Sequence, residues 1–589
     1  MKTTISLARL WMTALCLLSP FSFAQNCAPA AATIVTIQGR VEISPSGKRS
    51  WKAARIDDAL CAGQQIRVLR TSRAVLLLTN QTLLHLDEGT VLTLNSVQPE
   101  KPSWLELLKG FIHVISRVPQ SLGIKTPYVN ASVEGTEFAL RVGNAETALW
   151  VYEGRVRFGN TLGQLLIASG EAAAAVPGRA PERRIVVKPR RAVEWALYYP
   201  PLLDTRPERY PEALRGALAA YRQNDLRAAF ARLEALPPKD RTGNFFTLRA
   251  GLLLSVGRVA EAERDIAAAL KDNPREGTAL ALRAVIAVVR NETAEALRLA
   301  QEAVVAEPRS PTPYVARSYA EQSAFEIEKA QQSIQQASRL SPGDALVWAR
   351  LAEIELSLGD LDAALESARK AEQLDPGLSR TQSMLGFAYL TRIEIDAAKD
   401  AFERALVLDP ADPLPRLGMG LAKIRDGDLD EGIREIETAA SLDPNNSLVR
   451  SYLGKAYFEQ KRGGLASTEF GQAKLLDPKD PTPWFYDAIQ KQTTNRPVEA
   501  LHDFQKAIDL NDNRAVYRGR LLLDKDRAAR GTSSARAYND LGFTELGVRE
   551  AGKSLAIDPS QESAHRFLSD TYLGVRRRET SRVSELLQA

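Results

Sequence analysis

The chain has 589 residues, 77 basic and 72 acidic side chains, and a formal net charge of +5. So small an excess over that length excludes a nucleic-acid binder built on a broad basic field, and the length calls for more than one domain. Three cysteines exclude a disulfide-dense scaffold, and four scattered histidines offer no His/Cys metal cage.

Residues 1–24 read as a signal peptide. Lys2 and Arg9 flank the start of an apolar run, Leu10–Leu18, and Ser22-Phe23-Ala24 supplies a small-x-small cleavage site. The run is too short to span a bilayer, and no later stretch reaches the roughly twenty apolar residues of a membrane helix. Neither Cys16 nor Cys27 follows a small residue, which argues against lipoprotein processing. The expected mature chain is exported, without a membrane span. Cleavage leaves Cys27 and Cys61, and a bridge between them closes a loop of about 34 residues, contributing about 3–4 kcal/mol in the chain-entropy model. Two free thiols or a redox pair are the alternatives. The separation is unlike Cys-x-x-Cys, which favours a structural bridge.

Residues 25–180 have the texture of a β domain. Short apolar runs (Ala32–Ile37, Val75–Leu78, Thr82–Leu86, Phe111–Ile115, Phe138–Val142, Ala148–Tyr152) alternate with the turn residues Gly39, Gly89, Gly110, Gly135 and Gly154. That spacing predicts a sandwich or wrapped sheet. The stretch "IKTPYVNASVEGTEFALRV", with Lys125-Thr126-Pro127, Gly135-Thr136-Glu137-Phe138 and Glu153-Gly154-Arg155-Val156, resembles the FecR domain. Gly39-Arg40-Val41 and "DALCAGQQIRV" fit its N-terminal half. The resemblance implies a periplasmic sensing or binding module. Gly135 and Gly154 are expected to serve strand turns rather than ligand contact.

Residues 181–208 gather Arg183, Arg184, Lys188, Arg190 and Arg191, then Trp195, Tyr198, Tyr199, Pro200 and Pro201. Basic residues beside aromatics can form a nucleic-acid or acidic-polymer surface. Export removes nucleic acid as a partner, so the segment is read as a linker whose aromatics pack on the first helical repeat.

From 209 to 512 a rhythm takes over. Pro274, Pro308, Pro342, Pro376, Pro410, Pro444, Pro478 and Asp512 recur every 34 residues, giving about nine units. Five positions before each stands an alanine (Ala269 to Ala507), and further small-residue columns lie twelve and twenty-four positions before. Each unit reads as two amphipathic helices in close contact, the second ended by proline. Trp348, Leu351, Ala352, Gly359, Ala364, Ala371 and Pro376, together with "MLGFAYLTRIEIDAAKDAFERALVLDP", resemble the tetratricopeptide repeat (TPR) in order and spacing. The resemblance implies an all-α, right-handed solenoid whose first helices line a concave groove. Its groove positions fall on Leu346, Glu353, Arg380, Phe387, Leu417, Leu421, Lys455, Phe458, Phe485 and Ile489. An apolar groove broken by Glu353, Arg380 and Lys455 suits an amphipathic helix or extended peptide. The basic clamp with which some relatives grip a terminal carboxylate is absent. For Leu417 and Leu421, packing between units weighs equally with partner contact.

Past Asp512 the rhythm breaks, since Pro559 follows 47 residues on; residues 513–589 read as atypical capping repeats. The end, "RRRETSRVSELLQA", is an uncapped amphipathic helix, as a truncated chain would show. From Tyr538 onward the sequence resembles exported FecR–TPR proteins that continue into an outer-membrane region, which implies outer-membrane association. No nucleophile elbow, phosphate loop or dinucleotide fingerprint is present, and His85, His113, His502 and His565 lack metal-ligand spacing. The expectation is a multidomain, non-catalytic periplasmic scaffold without cofactor or metal. Envelope proteins would bind its TPR groove, and a protein or cell-wall or surface polymer its FecR-like domain. A FecR-type signalling regulator and a polysaccharide binding or export factor are the alternatives.

Overall fold

The computed structural model describes residues 30–45, 50–97, 103–116, 122–186, 189–204, 206–223, 225–513 and 523–573. The predicted signal peptide and Cys27 lie outside the described residues. Cys61 is disulfide-bonded.

Among the described residues the β domain is one hydrogen-bonded sheet of fifteen strands folded over an apolar core. Three long strands make the fold possible. The first half of Ser103–Ile115 pairs with Val91–Ser96 and, in parallel, with Leu122–Lys125. Its second half pairs with Leu83–Leu86 and Asn130–Val142. Between the halves sits Gly110 with φ +107°, where a Cβ would lie 2.3 Å from the Thr90 Cα. Asn130–Val142 and Thr147–Asn160 bend together, with a register shift between Glu134 and Glu137 and Gly154 at φ +72°. Gly110, Gly135 and Gly154 therefore lie inside continuous strands rather than in turns between them. A bulge or positive φ lets a long strand turn a corner and pass from one layer to the other. Gly39 and Gly89 do occupy turns.

Helix pairs follow from Glu212–Arg222 and Leu226–Glu234 to Pro481–Thr493 and Pro497–Asp509. The alanine column before each anchor is fully buried, and its carbonyls accept the N–H just ahead of the proline, as Ala371 does from Asp375 and Ala405 from Asp409. The other two columns meet face to face: a Cβ on Gly420 would lie 2.7 Å from the Gly432 carbonyl oxygen. Helices Leu523–Asp540 and Thr544–Ile557 rebuild the pair after the break, with Gly542 at φ +82° in the turn between them.

The winding is tight enough to touch itself. Arg222 pairs with Asp375 at 2.8 Å, the Asn291 side chain donates to the Leu476 carbonyl at 3.4 Å, and Lys479 Nζ lies 5.2 Å from the Phe325 ring centre. Each contact joins the turn inside one unit to the junction after a unit much later in the chain. No described helix is long and apolar enough to cross a membrane.

Candidate interaction surface

The linker runs through the solenoid. Arg190 donates to Asn445 at 2.9 Å and to Gln472 at 2.5 Å, both on the far units. Glu194 receives two bonds from Arg290, at 2.8 and 2.7 Å. Tyr198 reaches in beside Asp412, Arg380, Tyr319 and Asp409, and burial pushes its phenol well above the usual range. Leu197, Tyr199, Leu202 and Leu203 are buried in the same core as the first five repeats, Leu203 resting where a side chain on Gly251 would sit. Asp204 and Arg206 then approach Asp344. The aromatics do not simply pack on the first repeat: Trp195 turns to the β domain, 5.0 Å from His85 and 5.3 Å from Phe111, while Tyr198 lies among units far along the chain. The sequence reading misses this because the inner wall exists only once the units have wound round.

The β domain seals the seam. Leu442 joins Val75, Leu83 and Ile115 in an apolar cluster. His85 Nδ1 donates to the Ser441 carbonyl at 3.2 Å, and burial beside Arg73 holds that ring well below the ordinary histidine range, hence neutral. At the centre Arg450 pairs with Glu137 at 2.6 Å and with Glu469 at 3.0 Å, all three side chains fully buried. His113 Nε2 donates to Glu137 at 3.1 Å, and Arg190 stands 3.8 Å away. Burial alone would raise the Glu137 carboxyl, but Arg450, His113 and Arg190 outweigh it and hold it well below the usual carboxylate range. Burial lowers His113 despite its carboxylate neighbour, so the ring donates as a neutral imidazole. Removing one partner of such a pair leaves an uncompensated buried charge, typically about 3–5 kcal/mol. Glu137 belongs to the motif that carried the FecR resemblance, yet nothing local couples it to Arg450, 313 positions away. The sequence signals were an acid beside an apolar strand run and an arginine in the first turn of the helix Ser447–Glu459.

The groove positions separate into two groups. Glu353 and Arg380 pair with each other and with Arg350 and Tyr319, facing the linker; Arg350 and Arg380 hold Glu353 low against its burial. Phe387 packs edge-on against Phe402 at 5.0 Å, Leu417 is buried in the next core, and Leu421 is half-buried against it. Leu346 is half-buried after the Asp344 cap. The later positions form a strip on the last units. Phe458 and Ile489 are half-buried, Lys455 lies 5.1 Å from the Tyr486 ring centre, and Phe485 contacts Tyr486 and Phe504. Among the described residues no group of three or more His, Cys, Asp or Glu side chains could hold a metal.

The family model described as FecR protein matches residues 64–157, and that described as Tetratricopeptide repeat matches 247–311, 316–379 and 417–481. No curated protein matches the chain. Among solved structures, the APC/C hetero-tetramer Cut9–Hcn1 is similar at 14% identity over 65% of this chain and 86% of that one, with a TM-score of 0.40. The human IFIT1 dimer with m7Gppp-AAAA is similar at 15% identity over 64% of this chain and 96% of that one, also with a TM-score of 0.40.

Proposed function

A chain in which a FecR domain leads into a tetratricopeptide solenoid is, we propose, a non-catalytic adaptor of the cell envelope, exported to the periplasm, that holds protein partners on its repeats. The repeats are an interaction fold, and the observation that directs the reading is the unequal filling of the groove. Along the earlier units the inner wall is taken by the protein's own linker and by the Glu353–Arg380 pair. On the last units Lys455, Phe458, Phe485 and Ile489 form a half-buried aromatic and cationic strip whose contacts are to neighbouring helices. A strip of that kind suits an amphipathic helix or extended peptide. The FecR domain, clamped to the solenoid through Glu137 and Arg450, supplies a second contact held at fixed orientation to the first.

The test is photo-crosslinking in intact cells from a probe amino acid at Phe485 and, separately, at Phe387. Capture of a discrete envelope protein from position 485, with none from 387, is the expected result. Crosslinks from 485 only to the protein's own chain would remove the partner site from the solenoid.

A further inference from the structure

The folded sheet has two outer faces, and the solenoid covers one of them. On the other, Trp104, Glu106 and Leu108 point outward because Leu105 and Leu107 between them are in the core. Trp104 is 44% exposed, yet its ring does not stand free of the surface. It lies over Gly123 of the neighbouring strand, where a Cβ would fall 2.7 Å from ring carbons Cε3 and Cζ3. The missing side chain on Gly123 is what lets the indole lie on the sheet with its opposite side open to solvent.

The register around this ring is polar. One row across the strands runs Ser96, Trp104, Gly123, Ser132, Arg157 and Leu166. The next row places Thr93, Glu106, Lys125 and Asn130 side by side. With strands about 4.8 Å apart, hydrogen-bonding side chains stand within one or two strand spacings of the indole. The buried centre of a stable protein interface is commonly more apolar than the surface around it. Among the described residues of this face, the exposed apolar side chains Trp104, Leu108 and Leu166 are set among polar positions, and no such centre forms among them. A sugar ring asks for what is present: one flat aromatic surface for its C–H face and a rim of donors and acceptors for its hydroxyls. Lys125 stands 4.0 Å from Glu106, so the rim carries both signs of charge beside the indole.

We propose that this face binds a polysaccharide chain, with one sugar ring stacked on Trp104 and its hydroxyls met by Lys125, Asn130 and Ser132. The proposal rests on the reading of the FecR domain as a second binding module and gives that module its ligand class.

The full-length protein is tested by co-sedimentation with purified peptidoglycan, an acidic polymer, and with chitin, a neutral one. Retention on either polymer is expected, with an apparent affinity that falls about tenfold in Trp104→Ala and is largely kept in Trp104→Phe. A tenfold loss corresponds to about 1.4 kcal/mol. Circular dichroism and an unchanged Tm establish that the half-exposed substitution leaves the fold intact. No retention of the wild type on either polymer overturns the proposal, as does retention that Trp104→Ala leaves unchanged. Crosslinking from Phe485 probes the solenoid alone, so either result can fail while the other stands.

Discussion

At the scale of single residues, the turn inside each repeat demands a left-handed backbone, and the sequence meets that demand unevenly. Gly257, Asn291, Phe325, Gly359, Ile393, Gly427, Lys461 and Asn495 all have positive φ, between +58° and +105°. Glycine and asparagine suit that conformation, whereas a β-branched side chain there costs about 1–2 kcal/mol. Ile393, at φ +67° and 61% exposed, has little packing to lose. Ile393→Asn is therefore expected to stabilise the protein by about 1 kcal/mol, read as a rise in Tm. Asparagine is preferable to glycine because glycine adds unfolded-chain entropy. The charged core teaches a different lesson. Each half of the Glu137–Arg450 pair is visible in the sequence, but their meeting depends on the path of more than 300 intervening residues, which no local pattern encodes.

At the scale of elements, the small-residue columns were legible because they are set by one repeated contact between adjacent helices. They also separate two glycines that a propensity table treats alike. A Cβ on Gly420 would meet Ile436 at 2.6 Å and the Gly432 carbonyl at 2.7 Å. Alanine gains about 1 kcal/mol of helix propensity, but overpacking against backbone costs about 1–3 kcal/mol. Gly420→Ala is expected to lower the urea midpoint. Gly471 lies inside helix Gly463–Leu476 with nothing within 4 Å of its missing Cβ, so Gly471→Ala is expected to raise it. Equal effects of the two would refute the close-contact reading of the column. The strand glycines were harder to place, since φ at Gly110 and Gly154 answers to which layer each half-strand joins. The groove positions followed from repeat phase. That several of them face the protein's own linker followed from curvature, a property of many units together.

At the scale of the whole molecule, the seam between linker, β domain and solenoid holds carboxyls that keep their protons unusually long. Burial, with Asp409 nearby, pushes Asp412 up to about 7. Burial likewise raises Asp443 and Asp344 to about 6, and Asp87 to about 6 on the β-domain side. In the unfolded chain aspartate titrates near 4. Between about pH 4 and pH 7 the folded state thus binds protons that the unfolded state releases, and this contribution to stability is lost as pH rises through that window. The urea midpoint is expected to fall from pH 5 to pH 7.5, and Asp412→Asn to flatten the slope; an unchanged slope in the variant would remove Asp412 as a source. The linker through the winding has one more consequence, for the order in which the molecule can be made. The β domain and linker precede the repeats in the chain, so as the polypeptide emerges during synthesis the spindle is laid down before the thread that coils around it. A solenoid produced without its first 208 residues would have to close on an empty axis, exposing the apolar walls that Leu197, Tyr199, Leu202 and Leu203 now cover.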